Sequence, residues 1–251
     1  QSHRKDNVHQ QYIGEGYSQD EGDTMAEVNL KKIVAEKAVD EYVKDGMNVG
    51  LGTGSTAYYA ILRIAEKVKE GYDLTCVATS VQSEELAKEN GIKVVSLSDV
   101  DHLDVTIDGA DEVDDDMQLI KGLGGALLRE KIVAASSVRE VIIVDSSKKV
   151  DILGVKTHLP VEVLRFGHEK TKIMLEKQGC KATLRMDGDT PFITDGGNYI
   201  YDCKFDAISS PFFLESRIDV IPGVVENGLF LNVATTVLIA SGDGHVERIG
   251  E

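Results

Sequence analysis

No apolar run in this 251-residue chain approaches the roughly 20 residues that a membrane-spanning helix needs. No hydrophobic stretch follows the His, Arg and Lys near its beginning, so no signal peptide and no membrane partner are expected. Cysteine is scarce. Cys76, Cys180 and Cys203 are far apart and form no CxxC pair, which argues against a disulfide framework and a zinc site. They are expected as reduced thiols in a cytoplasmic protein. The six histidines include no HExxH spacing, and His168-Glu169 runs into Lys-Thr-Lys rather than a zincin helix. Positive charge is also short: 27 basic against 43 acidic residues leave a net charge of −16. Such a surface repels phosphate backbones, so nucleic acid is not an expected partner. A phosphorylated small molecule stays open, because it needs only helix N-termini and one or two lysines locally.

With 42% hydrophobic and 28% charged residues, the chain can bury a full core as one large or two modest domains. Residues 1–24 are polar, Gln- and Asp-rich and aperiodic, and read as a disordered leader or tag. From Asn29, which can cap a helix over residues 29–43, helix and strand patterns alternate. Strands are expected at 47–51, 74–78, 92–97, 103–107 and 141–144, with helices at about 56–70, 82–90 and 124–137. Short apolar strands with intervening helices imply an α/β fold, a Rossmann-like doubly wound parallel sheet. After about residue 159 the rhythm changes. Strand-like 160–166, helical 169–178, a hairpin of 181–186 with 192–205 around Asp195-Gly196-Gly197-Asn198, helical 211–220 and a strand at 228–231 give βαββαβ order. That order predicts a second, smaller, ferredoxin-like α+β domain. Residues 234–249 are expected to return as strands to the first. The division is therefore 25–158 plus 234–251 for the first domain and 159–233 for the second.

In an open parallel sheet, ligands bind beyond the carboxyl ends of the strands. Four unusual segments fall there: residues 52–56, Thr79-Ser80, Asp108-Gly109-Ala110-Asp111 and Asp145-Ser146-Ser147-Lys148. In Gly50-Leu51-Gly52-Thr53-Gly54-Ser55-Thr56, glycines let backbone amides approach an anion, and Ser55 and Thr56 add hydroxyls at a helix start. A dinucleotide fingerprint would need glycine where Ser55 stands and an acidic residue where the second strand ends in Thr79-Ser80. Phosphate cradling fits better. Asp104, Thr106, Asp108, Gly109 and Asp115 nearly match a calcium loop, but 103–107 reads as a strand and no helix flanks it. Asp114, Asp115 and Asp116 read as a solvated turn. Asp108 and Asp111 are placed to bond sugar hydroxyls or relay protons.

Lys121-Gly122-Leu123-Gly124-Gly125 brings a lysine and a glycine-rich turn to another helix start, which suits holding an oxyanion on backbone amides. The helix that follows is apolar apart from Arg129, Glu130 and Lys131, so at least one of these charges must face protein or ligand. Periodicity does not say which. If it is Glu130, partial burial would raise its pKa toward that of a useful general base; an internal Glu–Arg or Glu–Lys pair is the alternative. Lys148 at a strand end reads first as a solvated loop lysine, and Lys31 alone says nothing.

These segments together resemble the ribose-5-phosphate isomerase family of the A type. The matching stretches are Gly-Leu-Gly-Thr-Gly-Ser-Thr-Ala at 50–57, Asp-Gly-Ala-Asp-Glu at 108–112 and Lys-Gly-Leu-Gly-Gly-Ala-Leu-Leu-Arg-Glu-Lys at 121–131. Asp-Ser-Ser-Lys at 145–148, Leu-Pro-Val-Glu-Val at 159–163 and Ile-Pro-Gly-Val-Val at 221–225 extend the match in order, over the chain from about Ala26. The resemblance implies an aldose–ketose isomerase that interconverts ribose 5-phosphate and ribulose 5-phosphate through an enediolate, in the non-oxidative pentose phosphate branch. It implies Glu130 as the general base, and Asp108 and Asp111, with Gly109 and Ala110 between them, around the sugar in ring opening and hydroxyl contacts. It further implies Lys121 with Gly122, Leu123 and Gly124 at substrate and enediolate, Thr53, Gly54, Ser55 and Thr56 on the phosphate side, and Lys148 and Lys31 as binding lysines. Leu123 departs from the family's commoner glycine. No cofactor and no metal is expected, and a homodimer or homotetramer is. Two rivals belong to other classes. A sugar-phosphate sensor domain would carry a basic helix-turn-helix segment, which the short, acidic N-terminal region does not supply. A coenzyme A transferase-like enzyme would use a glutamate as nucleophile and form a glutamyl thioester.

Overall fold

The computed structural model describes residues 29–251; the leader expected at 1–24 and the first domain's start at residue 25 lie outside the described residues. The Asn29 side chain accepts the Lys32 N–H at 3.1 Å, satisfying one amide that a helix start leaves without an intrahelical acceptor. The chain then runs α1 (Leu30–Tyr42), β1 (Asn48–Leu51), α2 (Ser55–Lys69), β2 (Thr75–Ala78), α3 (Val81–Glu89) and β3 (Val105–Asp108). Next come two short strands, β4 (Glu112–Val113) and β5 (Leu119–Ile120), then α4 (Leu127–Ala135) and β6 (Glu140–Asp145). The second half holds β7 (Leu159–Val163), α5 (His168–Glu176), β8 (Lys181–Leu184), β9 (Met186–Asp187), β10 (Thr190–Pro191) and β11 (Tyr199–Lys204). It closes with α6 (Pro211–Ile218), β12 (Val224–Asn227), β13 (Leu229–Phe230), β14 (Thr236–Ala240) and β15 (Val246–Gly250).

Six strands form the main sheet in the order β15-β14-β6-β3-β1-β2. All pairs are parallel except β14–β15. Alternation along β6 feeds two cores. Val141 and Ile143 join Val34, Val39, Ile61 and Ile64 of α1 and α2, while Ile142 and Val144 join Leu127 of α4 on the other face. This is the doubly wound α/β layering, and it brings the expected 234–249 segment back as β14 and β15. The second sheet, order β12-β7-β11-β8, is antiparallel throughout. Counted within its own βαββαβ run the order is 4-1-3-2, the ferredoxin-like arrangement, around a core that includes Val161, Val163, Leu175 and Tyr201.

Three expected elements differ. Residues 92–97 make only a single bridge, Cys76 with Val94. The Ser96 N–H, which a continued ladder would need, donates instead to Asp99 Oδ2 at 3.1 Å and starts a tight turn. The hairpin of 181–186 with 192–205 is shorter than expected: β8 pairs β11, and the chain between them folds into the β9–β10 ribbon. Val224–Asn227, not residues 228–231, completes the second sheet, and β13 pairs β5 in a small third sheet. Gly228 marks the crossing, since a Cβ there would lie 2.3 Å from the Lys121 carbonyl oxygen.

Glycines on β1 and just after it solve a crowding problem. A Cβ on Gly50 would lie 1.8 Å from Thr106 Oγ1, and one on Gly52 2.3 Å from Asp108 Oδ1. Their absence of side chains lets Thr106 and Asp108 of β3 lean across the neighbouring strand. Among the described residues no helix is long and apolar enough to cross a membrane. Gly52→Ala is expected to destabilise the fold by about 1–3 kcal/mol, the usual cost of overpacking, and to displace Asp108. Urea unfolding measures the first, and a variant as stable as the parent would refute the crowding argument.

Candidate active site

The four strand-end segments converge. One cleft is lined by Thr53, Gly54, Ser55, Thr56, Gly109, Ala110, Asp111, Lys121, Gly122, Gly124, Glu130 and Lys148. One wall is the start of α2. Gly54 sits at φ +106°, and no side chain caps this helix. The first α2 amides therefore have no intrahelical acceptors and carry the positive end of the helix dipole. Lys31 adds charge there, donating from Nζ to Ser55 Oγ at 2.8 Å. Behind the turn, Thr53 Oγ1 lies 2.7 Å from Thr79 Oγ1, 2.8 Å from Ser80 Oγ and 3.2 Å from Ser83 Oγ. Ser83 in turn donates to the Gly52 carbonyl at 2.7 Å. This hydroxyl cluster pins the turn at residues 52–56 to the end of β2. Ser83 was not among the expected residues; its only signal was its place three residues after Ser80.

The opposite wall carries the charges. Lys121 is buried, with Nζ 3.0 Å from Glu130 Oε1 and 3.2 Å from Asp108 Oδ2, and it also donates to the Gly109 carbonyl. Asp108 Oδ1 accepts the amides of Thr53 at 3.0 Å and Gly109 at 2.7 Å, tying the two walls together. Asp111 Oδ2 accepts the Leu123 N–H at 2.9 Å. That amide is thus engaged within the protein, and Leu123, whose side chain is exposed, is the one expected residue of its turn that does not line the cleft. Of the three charges on α4, Glu130 faces Lys121. Arg129 lies 3.7 Å from Asp195, and Lys131 bonds Glu226 Oε1 and the Asn227 carbonyl, each at 2.7 Å. Glu130 is thus paired with a lysine, as the alternative reading had it, and both members of the pair line the cleft. Among the described residues no cluster of three or more His, Cys, Asp or Glu side chains is arranged to hold a metal ion.

These surroundings shift the titrations. Burial pushes Glu130 up to about 8, with the Asp108 and Asp111 charges adding to it and Lys121 opposing. Burial also raises Asp111 against the Leu123 amide and Lys121. For Lys121 burial works against the charge, but the carboxylates of Asp108, Glu130 and Glu140 outweigh it and hold the ammonium above its ordinary range. The result is a buried cation, held charged, next to a carboxyl that can exist in either state near neutral pH. Such a pair can take a proton from carbon and steady the oxyanion that forms.

Comparisons with known proteins agree with this geometry. A family model described as ribose 5-phosphate isomerase A (phosphoriboisomerase A) matches residues 75–244. A ribose-5-phosphate isomerase A of Dinoroseobacter shibae is 48% identical over 89% of this chain and 88% of its own length. One of Sphingopyxis alaskensis is 51% identical over 85% of this chain and 92% of its own. Among solved structures, the ribose 5-phosphate isomerase from Plasmodium falciparum superposes with a TM-score of 0.86 at 43% identity, covering 88% of this chain and 98% of that one. A D-ribose-5-phosphate isomerase in complex with phospho-erythronic acid gives 0.85 at 42%, with the same coverage.

One further carboxyl lies beneath the cluster. Glu140, the first residue of β6, pairs in register with Thr106, two positions before Asp108 on the adjacent strand. It is buried, and neither carboxyl oxygen has a hydrogen-bond partner. Burial raises its pKa well above the carboxylate range, the Asp108 charge adds, Lys121 opposes and Glu130 adds again. A carboxyl whose folded pKa exceeds its unfolded value binds more protons when folded, so stability falls as pH rises from the unfolded value through the folded one. Glu140→Gln removes that titration. Its melting temperature relative to the parent is expected to increase between pH 5 and pH 8, and a difference that stays constant over that range would show that Glu140 does not titrate as described.

Proposed function

The chain belongs to the ribose-5-phosphate isomerase A family and interconverts ribose 5-phosphate and ribulose 5-phosphate, and we propose that Glu130 carries the proton between C2 and C1 across an enediolate. The open-chain aldose binds with its phosphate at the start of α2, against Gly54, Ser55, Thr56 and Lys31, with Lys148 closing the anion site. Its carbonyl end lies at Lys121 and the glycine turn, and Asp108 and Asp111 hold the hydroxyls and assist ring opening. Glu130 takes the C2 proton; Lys121 and the Gly122 and Gly124 amides hold the oxygen that becomes anionic; the proton returns at C1. The observation that carries this reading is that the buried Glu130 carboxyl lines the same cleft as the uncapped helix start.

Neither part of the machinery suffices alone. A positioned base contributes roughly 10²–10⁴-fold and a single oxyanion donor roughly 10²–10³-fold. Glu130 bonds Lys121 through Oε1 only, and Oε2 has no partner among the described residues, which leaves it for the substrate. The same reading includes a homodimer or homotetramer at work in the cytoplasm, with residues 159–233 as a second domain beside the catalytic one.

Glu130→Gln is expected to lower kcat about 10²–10⁴-fold while phospho-erythronate still binds in a calorimetric titration. Near-normal turnover would remove Glu130 as the base. Because only the carboxylate accepts the C2 proton, kcat/KM should rise with pH through about 8 and level off above it; a flat profile from about pH 6 to 9 would contradict the assignment. Lys31→Ala should act mainly on KM, through the phosphate, with kcat little changed.

A further inference from the structure

We propose that Arg185, on the chain leaving β8, is a positioning residue for the isomerisation: its guanidinium holds the backbone of the turn at residues 122–124 so that the turn's polar groups face the substrate. The proposal rests on the reading that this turn, with Lys121, receives the carbonyl end of the sugar. Arg185 comes from the second sheet, 63 residues beyond Gly122 in the chain, and belongs to no part of the expected site.

Arg185 Nη1 donates to the Gly122 carbonyl and to the Leu123 carbonyl, each at 3.0 Å. In a trans peptide the C=O and N–H point opposite ways. The Gly122 carbonyl shares its peptide with the Leu123 N–H, which donates to Asp111 Oδ2 at 2.9 Å. That peptide is therefore strung between Arg185 on one side and Asp111 on the other. The Leu123 carbonyl shares its peptide with the Gly124 N–H, and holding that carbonyl on the guanidinium turns the amide the opposite way, on a residue that lines the cleft. One side chain thus orients both an acidic group of the site and an amide donor.

The guanidinium is itself fixed. Nε donates to Asp202 Oδ2 at 3.0 Å and Nη2 to Oδ1 at 2.5 Å, and both side chains are largely buried. The Phe192 ring lies with its centroid 5.8 Å from the guanidinium carbon. Phe192 also presses on the turn, since a Cβ on Gly125 would meet its Cζ at 2.4 Å. The turn needs such a brace, because Gly122 and Gly125 both sit at positive φ, +107° and +80°, where glycine has wide freedom. A bidentate carboxylate on one edge and two carbonyls on another is a task for the planar fork of arginine, which a lysine ammonium does not reproduce.

The test compares Arg185→Ala, Arg185→Lys and Asp202→Asn with the parent and with Lys121→Met. Misplacing the turn should cost roughly 10–100-fold in kcat for both arginine variants, a smaller loss for Asp202→Asn, and a KM within about threefold of the parent, because the phosphate end is untouched. Guanidinium ion at millimolar concentration should restore part of the Arg185→Ala turnover, a response that a merely structural role would not give. Should Arg185→Ala not fold, as shown by loss of a cooperative melt, Arg185→Lys and Asp202→Asn decide by the same kcat and KM readings. Parental kcat in folded arginine variants while Lys121→Met is inactive would overturn the proposal and leave the reading of the turn standing. Parental kcat in Lys121→Met would instead overturn that reading. A loss confined to KM, or a kcat loss without guanidinium rescue, would also count against Arg185 as a positioning residue.

Discussion

Everything in the cleft depends on one buried ammonium. Lys121 Nζ is shared by Glu130 at 3.0 Å and Asp108 at 3.2 Å, with a backbone carbonyl as third partner. An unpaired charge at that depth would be prohibitively costly, and either carboxylate left without the lysine would face the other as a like charge. The arrangement is stable only as a set, which keeps the lysine charged whether or not Glu130 holds its proton. The mechanism proposed above would use this consequence. With Glu130 as the base, a proton accepted from C2 would lower its attraction for Lys121 and free the ammonium to follow the negative charge onto the substrate oxygen. One cation would then serve the base before the transfer and the enediolate after it.

The overall charge of −16 does not conflict with a substrate that carries a phosphate. Electrostatic reach in solution is about 8 Å at physiological ionic strength, so the local inventory decides. At the end proposed for the phosphate that inventory is an uncapped helix start and Lys31, with Lys148 also on the cleft. The carboxylates are gathered at the other end around Lys121, and Asp108 spends one oxygen on the Thr53 and Gly109 amides. The site is polarised along the length of a sugar phosphate.

How much of this was legible in the sequence follows from how local each interaction is. The alternation of helix and strand, the returning C-terminal strands and the convergence of residues 52–56, 108–111, 121–124 and 145–148 at one edge depend on short patterns, and they were readable. Glycines at 50 and 52 were read as letting backbone amides approach an anion; their second task, making room for Thr106 and Asp108, depends on the neighbouring strand and was not readable. Residues 92–97 have a strand's composition but lie beyond β2 at the sheet's edge, where a side-chain bond from Asp99 diverts the ladder. Glu140 and Arg185 were not legible. A charged residue opening an apolar strand, or one in the middle of a hairpin, looks like a surface residue until the partner strand is known.

The choice among Arg129, Glu130 and Lys131 shows why three adjacent charges defeat periodicity. Successive residues of a helix point about 100° apart, so three in a row cover most of its circumference, and each meets a different neighbour. Arg129 reaches Asp195, whose carboxylate also accepts the Val81 N–H at 2.8 Å. Lys131 reaches Glu226 and the Asn227 carbonyl on β12. The two residues flanking Glu130 are thus tied to the second sheet and the loop that leads into β11, and Glu130 is left pointing at the main sheet's cleft. The helix that carries Glu130 belongs in sequence to the first half of the chain, yet both charged neighbours of Glu130 make their contacts with the second. A smaller sheet that contributes no residue to the cleft wall is thus in direct contact with the helix on which Glu130 sits, through the residues on either side of that carboxylate.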